Sequence, residues 1–472
     1  MCSEIDLEAL RSSVDGDVVF GPDAASVAAG RAAERLAVRP RAVVRCASEA
    51  DVAETLAFAV RHGLPVVARS GGHCFANRSS TSGLIIDVSP MSSVGLAGTL
   101  ATVGTGARLG PVYRELGTAG VTLPAGNGST VGIAGLTLGG GLGFLGRAYG
   151  LTSDRLRAAR VVLGDGRVRD CGPDQEPELF WALRGAGGGH LAVVTALVLE
   201  TVPTPTTTAF CLRWTSRHAV DVIDAWQRLA PEAPGELGAS LLLTTPPEID
   251  RPVTVDLFGS MIGHASDTAT VLGELVARAG VEPRDTQVRE LEYLSARAFL
   301  AGLDHGAGPA GDGPEPGTPG ESPTEQGFGT SEYFGRLISR PALQELVRNL
   351  IEDREPGQSR ELDFMPWGGA YNQVPVGATA FGHRTERFLL KQSVLVRCGA
   401  DAGAVARGQA WLKRSRAAVA GYGTGGVYPN FPQPGLPDPG TAYHGRNHDR
   451  LLDAVRTYDP TGVFRAGSWL RP

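Results

Sequence analysis

The chain has 472 residues, 42% of them hydrophobic and 20% charged, and its formal net charge is −6. This length exceeds one compact core and predicts two or more lobes, while the acidic balance excludes the basic surface that nucleic-acid binding requires. No apolar run reaches the roughly 18 residues of a membrane span, and residues 1–15 lack the apolar core of a signal peptide. We therefore expect a cytoplasmic protein without nucleic-acid or membrane partners.

The six cysteines bear on compartment and on metal binding. They stand at positions 2, 46, 74, 171, 211 and 398, without the close spacing that metal ligands show. A chain of this size does not need disulfides to fold, so a reducing compartment fits. We predict no metal site.

The first 200 residues alternate short β-rich runs with helices and glycine clusters. Ser48, with Asp51 three residues later, marks a helix start, and Gly63 marks its end before a strand at 65–68. Further strands are predicted at 84–88 and 101–104, a helix at 109–116, and a hairpin turn at 164–166. This is not the regular alternation of a doubly wound sheet, and it predicts an α+β nucleotide-binding lobe over 1–201, with subdomains at about 1–95 and 96–201.

The sequence after residue 201 changes to longer amphipathic helices and alternating strands, such as 387–396. It predicts a second α+β lobe over 202–424 and a C-terminal segment over 425–472. Residues 304–329 are rich in Gly, Pro, Glu and Thr and bury little, so they are predicted to form a flexible surface insertion. The basic stretch 407–416 is interpreted as the solvated face of a helix.

Glycine is densest between residues 126 and 150, which indicates a backbone that approaches a ligand closely or adopts positive φ. Loose packing turns are the alternative. Within this stretch, 141–146 satisfies the dinucleotide pattern G-x-G-x-x-G, with Asp165 as a ribose-binding candidate. We reject that reading because Asp165 lies in an Asp-Gly turn and 141–146 does not open an apolar helix after a buried strand.

His73 follows two glycines directly after a predicted buried strand, where the backbone can approach a planar ring. By spacing alone, a lone histidine in a loop is more often a hydrogen-bonded structural residue than a functional one.

Several segments together resemble the FAD-linked oxidases of the berberine-bridge-enzyme-like group, within the vanillyl-alcohol-oxidase type of flavin fold. They are 69–73, 130–132, 138–143, Arg147, 149–151, 179–185, 187–189, 193–195, 428–430, 443–447, 458–460, Val463 and Phe464. The match runs in order along most of the chain. It implies an α+β fold with a two-subdomain PCMH-type FAD-binding domain and a substrate domain whose antiparallel sheet is covered by helices.

The resemblance also implies one FAD and names the residues that hold it. His73 stands where the family histidine bonds covalently to the flavin. Where many members have a second link, from cysteine, this chain has Gly128, so a single link is expected. The other implied contacts are Arg69, Ser70, Gly71, Gly72, Cys74, Thr130, Val131, Gly132, Gly135, Leu138, Gly139, Gly140, Gly141, Gly143, Val194, Tyr428 and Asn430. His190 and Leu191 depart from the family pattern and put packing on the adenine side in doubt.

Three residues are candidates for catalysis. The resemblance implies that Tyr428 deprotonates the substrate, with Asn430 orienting flavin or substrate, although Tyr428 packing against the ring is an open alternative. It places Gln392 near the reaction centre. No acid stands between Met365 and Phe381 to match the glutamate base of some members, and Tyr371 is the nearest substitute.

We therefore predict an oxidase that takes a hydride from an alcohol or amine of a small metabolite or sugar-like group. The resemblance implies that Val131 controls the access of dioxygen, which would reoxidise the flavin and yield hydrogen peroxide. The alternatives are oxidative cyclisation or desaturation of a secondary metabolite, and a flavin-containing protein that sequesters a drug.

Overall fold

Four short strands near the amino terminus form the first sheet. In a computed structural model that describes residues 6–28, 38–74, 76–303, 325–465 and 470, the elements of this part are α1 (Leu7–Ser13), β1 (Asp17–Phe20), α2 (Pro22–Ala28), β2 (Ala42–Arg45), α3 (Glu49–Arg61), β3 (Val66–Arg69) and β4 (Leu84–Asp87). The strand order is β1-β2-β4-β3, with β1 antiparallel and the other pairs parallel. The Ser48 hydroxyl accepts the Asp51 amide at 3.2 Å, which caps α3 as predicted.

A second, antiparallel sheet follows. Its region contains β5 (Val94–Ala97), β6 (Leu100–Gly104), α4 (Leu109–Thr118), β7 (Val121–Thr122), α5 (Ile133–Leu138), α6 (Gly146–Tyr149), β8 (Leu156–Leu163), β9 (Val168–Cys171), α7 (Pro177–Leu183), β10 (Ala192–Glu200) and β11 (Val202–Pro203). The order is β5-β6-β10-β8-β9, and β11 pairs separately with β7. Asp165 lies in the turn between β8 and β9, where Gly166 has φ +82°. The rejection of the dinucleotide pattern is confirmed.

The third sheet has seven antiparallel strands. The elements are β12 (Thr206–Thr215), α8 (Ala219–Leu229), β13 (Leu237–Thr245), β14 (Thr254–Ile262), α9 (Ala265–Ala279), β15 (Asp285–Glu292), α10 (Tyr293–Ala301), β16 (Glu325–Phe334), α11 (Arg340–Ile351), β17 (Gln358–Pro366), α12 (Ala370–Gln373), β18 (Phe388–Arg397), α13 (Ala402–Val419), α14 (Pro439–His444) and α15 (His448–Tyr458). The order is β15-β12-β14-β13-β17-β18-β16.

The two faces of this sheet have different partners. Helices α8, α9, α11 and α13 cover one face, where Trp226 and Trp411 are completely buried among strand residues such as Phe388. The other face contacts the glycine-rich part of the first lobe and residues 427–431. The fold is α+β with an antiparallel sheet covered by helices, as predicted.

One boundary differs from the prediction. Residues 304–324 of the predicted insertion lie outside the described residues, but 325–329 are not part of a flexible loop. They begin β16, which pairs with β18 from Glu325 opposite Arg397 to Phe334 opposite Phe388. The glycines at 327 and 329 suggested a loop, but ladder hydrogen bonds need only backbone groups, so a neighbouring strand overrides the local composition.

The C-terminal part returns to the first lobe. Leu451 and Val455 of α15 share a core with Leu179 of α7, and Phe464 packs with the residues that line the first sheet. The part of the chain that the structure describes contains no helix long and apolar enough to span a bilayer. All five described cysteines are free thiols.

Candidate active site

Two loops meet at the start of α5. The backbone of Gly71 and that of Gly132 approach so closely that a Cβ built on either would collide with the other. The Ser70 hydroxyl donates to the Thr105 carbonyl at 2.6 Å, and the Thr105 hydroxyl donates to the carbonyl of Val194 at 2.7 Å. This contact needs glycine at both positions, and it brings the loop that contains His73 to the 130–132 segment.

The loop around His73 is held on both sides. Gly72 has φ +69°, a conformation that favours glycine, and it delivers the chain into His73. The Arg69 guanidinium donates to Ser79 O at 3.1 Å and to Ser80 Oγ at 2.6 Å. On the other side, Cys74 Sγ accepts the Arg78 amide at 3.4 Å.

The loop is also tied to the C-terminal segment. Arg78 donates to the Tyr443 hydroxyl at 3.1 Å and lies over its ring. The same hydroxyl accepts from Gln433 N at 2.9 Å. The His73 loop and the segment after residue 425 therefore form one assembly.

The other end of α5 opens into a second glycine cluster. Gly140 and Gly141 have φ +116° and +85°, and a Cβ on Gly139 would collide with the side-chain amide of Asn430. Asn430 Nδ2 donates to Leu136 O at 2.8 Å. Glycine at 139 thus makes room for Asn430.

Three N–H donors converge on the Tyr428 phenol oxygen. They are the amides of Gly141 at 2.9 Å and Leu142 at 3.1 Å, and Asn430 Nδ2 at 3.1 Å. Burial raises the pKa of Tyr428 to about 12, and the hydrogen bonds from Asn430, Gly141 and Leu142 act against that rise because they favour the phenolate. The site resembles an oxyanion hole built around a tyrosine.

Tyr371 lies beside it. Its hydroxyl donates to Gly143 O at 3.2 Å and accepts from Gly143 N at 3.3 Å, and its ring stacks on Trp367 with centroids 4.4 Å apart. Burial raises the pKa of Tyr371 above its ordinary range. Tyr371 belongs to a buried group of side chains that we call the aromatic cluster. Its aromatic members are Tyr333, Trp367, Tyr371, Phe381 and Tyr428, and they pack together with Leu389.

Gln392 does not reach this cluster, so the prediction that placed it near the reaction centre is wrong. Side chains alternate along β18, and Leu390 and Val394 lie in the core under the helices, so Gln392 faces the helices too. Leu389 packs in the aromatic cluster, and Lys391 lies over the ring of Phe431, with Nζ 5.6 Å from the centroid. The resemblance correctly identified 388–393 as a strand, but it did not indicate which face of the sheet each side chain occupies.

Sequence reasoning missed two further features. The alternation of apolar residues at 388, 390 and 394 could have indicated that Lys391 faces the site. The ion pair between Arg384 and Asp154, which join distant segments beside Tyr371, left no signal in the sequence.

The residues present fit a long nucleotide cofactor. Positive-φ glycines occur in three separate loops, at 72, at 140 and 141, and at 185, 187 and 189. A Cβ built on Gly135 or Gly189 would meet no atom within 4 Å, so these backbones border open space. Backbone that is exposed in this way can approach pyrophosphate oxygens or a flat ring. The contact between Gly71 and Gly132 brings His73 to the same place as Thr130 and Val131.

Comparison with known proteins agrees with this geometry. A family model described as an FAD binding domain matches residues 40–172, and one described as berberine and berberine like matches 427–467. The uncharacterized FAD-linked oxidoreductase YvdP of Bacillus subtilis (strain 168) is 30% identical over 433 residues, which cover 91% of each chain. YgaK of the same organism is 29% identical over 90% of each chain.

Solved structures show the same fold. Physcomitrella patens BBE-like 1 superposes with a TM-score of 0.86 at 25% identity, covering 98% of this chain and 99% of that one. A chitooligosaccharide oxidase superposes with a TM-score of 0.86 at 24% identity, covering 99% and 100%. The chain belongs to the berberine bridge enzyme-like family of FAD-linked oxidoreductases.

Proposed function

We propose that this enzyme is an oxidase that removes a hydride from the carbon of an alcohol, or of an amine, in a small metabolite or sugar-like group. The observation that carries the proposal is the convergence of Gly141 N, Leu142 N and Asn430 Nδ2 on the Tyr428 oxygen, beside the glycine loops that border open space. A bound FAD supplies the hydride acceptor, which no side chain provides.

Tyr428 takes the substrate proton in this proposal. As carbon loses a hydride, an attached hydroxyl must lose its proton, whereas an attached ammonium must lose its proton before the transfer, and a phenolate can accept either proton. Burial opposes the phenolate, whereas three N–H donors directed at its oxygen favour it. Asn430 positions the phenol and is itself fixed by Leu136.

His73 forms the single covalent link to FAD in this proposal. It follows Gly72, whose positive φ turns the chain, and lies between the Arg69 contacts and the Arg78 contacts. A loop held at both sides keeps the imidazole in place. Gly128, which lacks any side chain, leaves no second attachment.

Dioxygen is the proposed electron acceptor, and hydrogen peroxide the second product. Val131 is half-buried, and a Cβ on Gly128 would lie 3.1 Å from Val131 Cγ2, so a side chain larger than valine has little room on the Gly128 side. A change of one methylene is enough to fill or open such a space.

The test is anaerobic mixing of the purified flavoprotein with a panel of alcohols, amines and saccharides. Bleaching of the flavin absorbance by one of them, with a carbonyl or imine product identified by NMR, supports hydride removal from an alcohol or amine. A cyclised or desaturated product would indicate the alternative chemistry. Binding without bleaching by any compound would contradict an enzyme that oxidises these substrates.

A further inference from the structure

A cleft on the sheet face that contacts the first lobe lies beside the aromatic cluster. It has about 50 Å³ of free space and is lined by Phe431, Lys391, Glu361, Ser393, Thr330 and Gly329. Phe431 separates it from the phenol, because its ring packs edge-on against Tyr428 with centroids 5.1 Å apart. Leu389 belongs to the same buried group as Tyr428, and Lys391 and then Ser393 follow on the same face of β18, at steps of about 7 Å. The cleft therefore extends the site away from the reacting end.

Carboxylates outnumber ammonium groups around this cleft. Glu361 is only 9% exposed. Its Oε2 accepts a hydrogen bond from Ser393 Oγ at 2.7 Å and lies 3.6 Å from Lys391 Nζ. Asp363 stands directly opposite Lys391 in the strand register. One ammonium thus faces two carboxylates on this face. At the start of β16, Glu325 stands opposite Arg397 in the strand register, so this third carboxylate is matched by a cation.

The second oxygen of Glu361 is the open acceptor. Both bonds of this carboxylate to described residues are made by Oε2, which leaves Oε1 available at the wall of the cleft. Phe431 supplies an aromatic face at the same place, and an aromatic face beside a carboxylate is suited to an ammonium group. The Lys391 ammonium, which lies over this ring and next to this carboxylate, already shows that a cation is accommodated there.

We propose that Glu361 determines specificity by binding a protonated amine of the substrate, at a distance from the carbon that is oxidised. The apolar middle of the substrate would lie against Phe431, between Glu361 and Tyr428. The inference rests on the proposed function, since it assigns the distal end of the same substrate. The bound amine is an anchor and is not oxidised.

Three probes on one frame test this proposal: 3-phenylpropylamine, 3-phenylpropan-1-ol and 3-phenylpropionate. Their dissociation constants for the holoenzyme are measured anaerobically by calorimetry. We expect the amine to bind at least tenfold more tightly than the carboxylate, the scale of one charge-assisted hydrogen bond. Glu361→Gln should remove that preference and leave alcohol binding unchanged. Lys391→Met should strengthen amine binding severalfold, because it removes a competing cation.

Gln392→Met is the matched control, since it changes the neighbouring residue on the opposite face and should leave all three affinities unchanged. Equal affinities, tighter carboxylate binding, no measurable amine binding, or an amine preference that survives in Glu361→Gln would overturn the proposal. If Glu361→Gln does not fold, weaker amine binding in Lys391→Met overturns it instead. Flavin bleaching by an alcohol substrate tests the proposed oxidase separately. Bleaching without an amine preference would therefore overturn the role of Glu361 but not the proposed function.

Discussion

Arg384 donates two hydrogen bonds to the carboxylate of Asp154, at 2.9 and 2.7 Å, and their side chains are only 1% and 9% exposed. Asp154 also accepts the Leu151 amide at 2.9 Å, while Arg384 donates to the carbonyl of Tyr371 at 3.2 Å. This pair therefore connects the end of the glycine-rich stretch to the segment that holds Tyr371.

Removing one partner of this pair should destabilise the enzyme strongly. Arg384→Met leaves a buried carboxylate without its cation, which costs about 3–5 kcal/mol of unfolding free energy. The double variant Arg384→Met with Asp154→Asn should recover part of the loss. Arg456→Ala, in a pair that is 69% and 74% exposed, is the control and should leave the unfolding midpoint unchanged. Equal midpoints for Arg384→Met and wild type would show that the pair contributes nothing.

Flavin attachment is tested by His73→Ala. The wild-type protein should remain yellow after acid precipitation, whereas the variant should release its flavin to the supernatant. His62→Ala, at the end of α3, should keep the flavin bound. Complete loss of flavin from the acid-treated wild type would contradict a covalent link but not the use of FAD.

Tyr428→Phe tests the proposed base. It should keep the FAD content and slow flavin reduction about a hundredfold or more, because general-base catalysis has that scale. Since the pKa of Tyr428 is raised to about 12, the fraction of phenolate grows with pH, so wild-type reduction should accelerate from about pH 7 to 10 and the variant should not.

Tyr333→Phe is the matched control for that experiment. Tyr333 belongs to the same aromatic cluster, but its buried hydroxyl has no hydrogen-bond partner among the described residues, so its removal breaks no such contact there. Near-normal stopped-flow rates in Tyr428→Phe would show that Tyr428 only packs.

Val131→Leu tests the electron acceptor. The larger side chain should slow reoxidation by dioxygen and leave reduction by substrate almost unchanged. Anaerobic reduction followed by mixing with aerated buffer measures both rates. If the wild type reoxidises no faster than free reduced flavin, or the variant matches the wild type, a dye or protein acceptor becomes the better interpretation.

Two buried histidines should make the enzyme sensitive to acid. Burial, with a smaller contribution from Arg78, lowers the pKa of His190 to about 3, and burial lowers the pKa of His444 well below its ordinary value. Both are neutral when folded but would be protonated below about pH 6.5 when unfolded. Their contribution to stability is therefore complete above about pH 6.5 and is lost as the pH falls from there toward 3.

The measurement is the unfolding free energy between pH 6.5 and 4.5. His190→Gln should reduce the slope of the unfolding free energy against pH by up to about 1.4 kcal/mol per pH unit, which corresponds to one proton taken up on unfolding. His264→Gln is the control, because Glu290 raises the pKa of His264 and the sign of its contribution is opposite. An unchanged slope in His190→Gln would refute the assignment.

The sequence predicted the fold well where motifs and periodicity agreed. The cap at Ser48, the turn at Asp165 and the family segments all have local causes, so they could be read from neighbouring residues. Gln392 and Lys391 show the limit. A motif identifies a strand, but a shift of one residue exchanges its two faces, and only the core beneath β18 decides between them.

Contacts between distant segments were also out of reach. Residues 325–329 have a loop-like composition and become a strand because β18 pairs with them. Asp154 and Arg384 are 230 residues apart, and neither lies in a motif. Such pairs depend on how the lobes meet, which local patterns do not encode.

The C-terminal contacts of the glycine loops have a consequence for biosynthesis. Tyr428, Asn430 and Tyr443 are translated long after Gly71, Arg78 and Gly141, with which they assemble. A nascent chain that has finished its first two sheets still lacks the phenol, the amide and the ring that complete the site. A chain truncated before Tyr428 therefore cannot contain this site, however completely its first two sheets have folded.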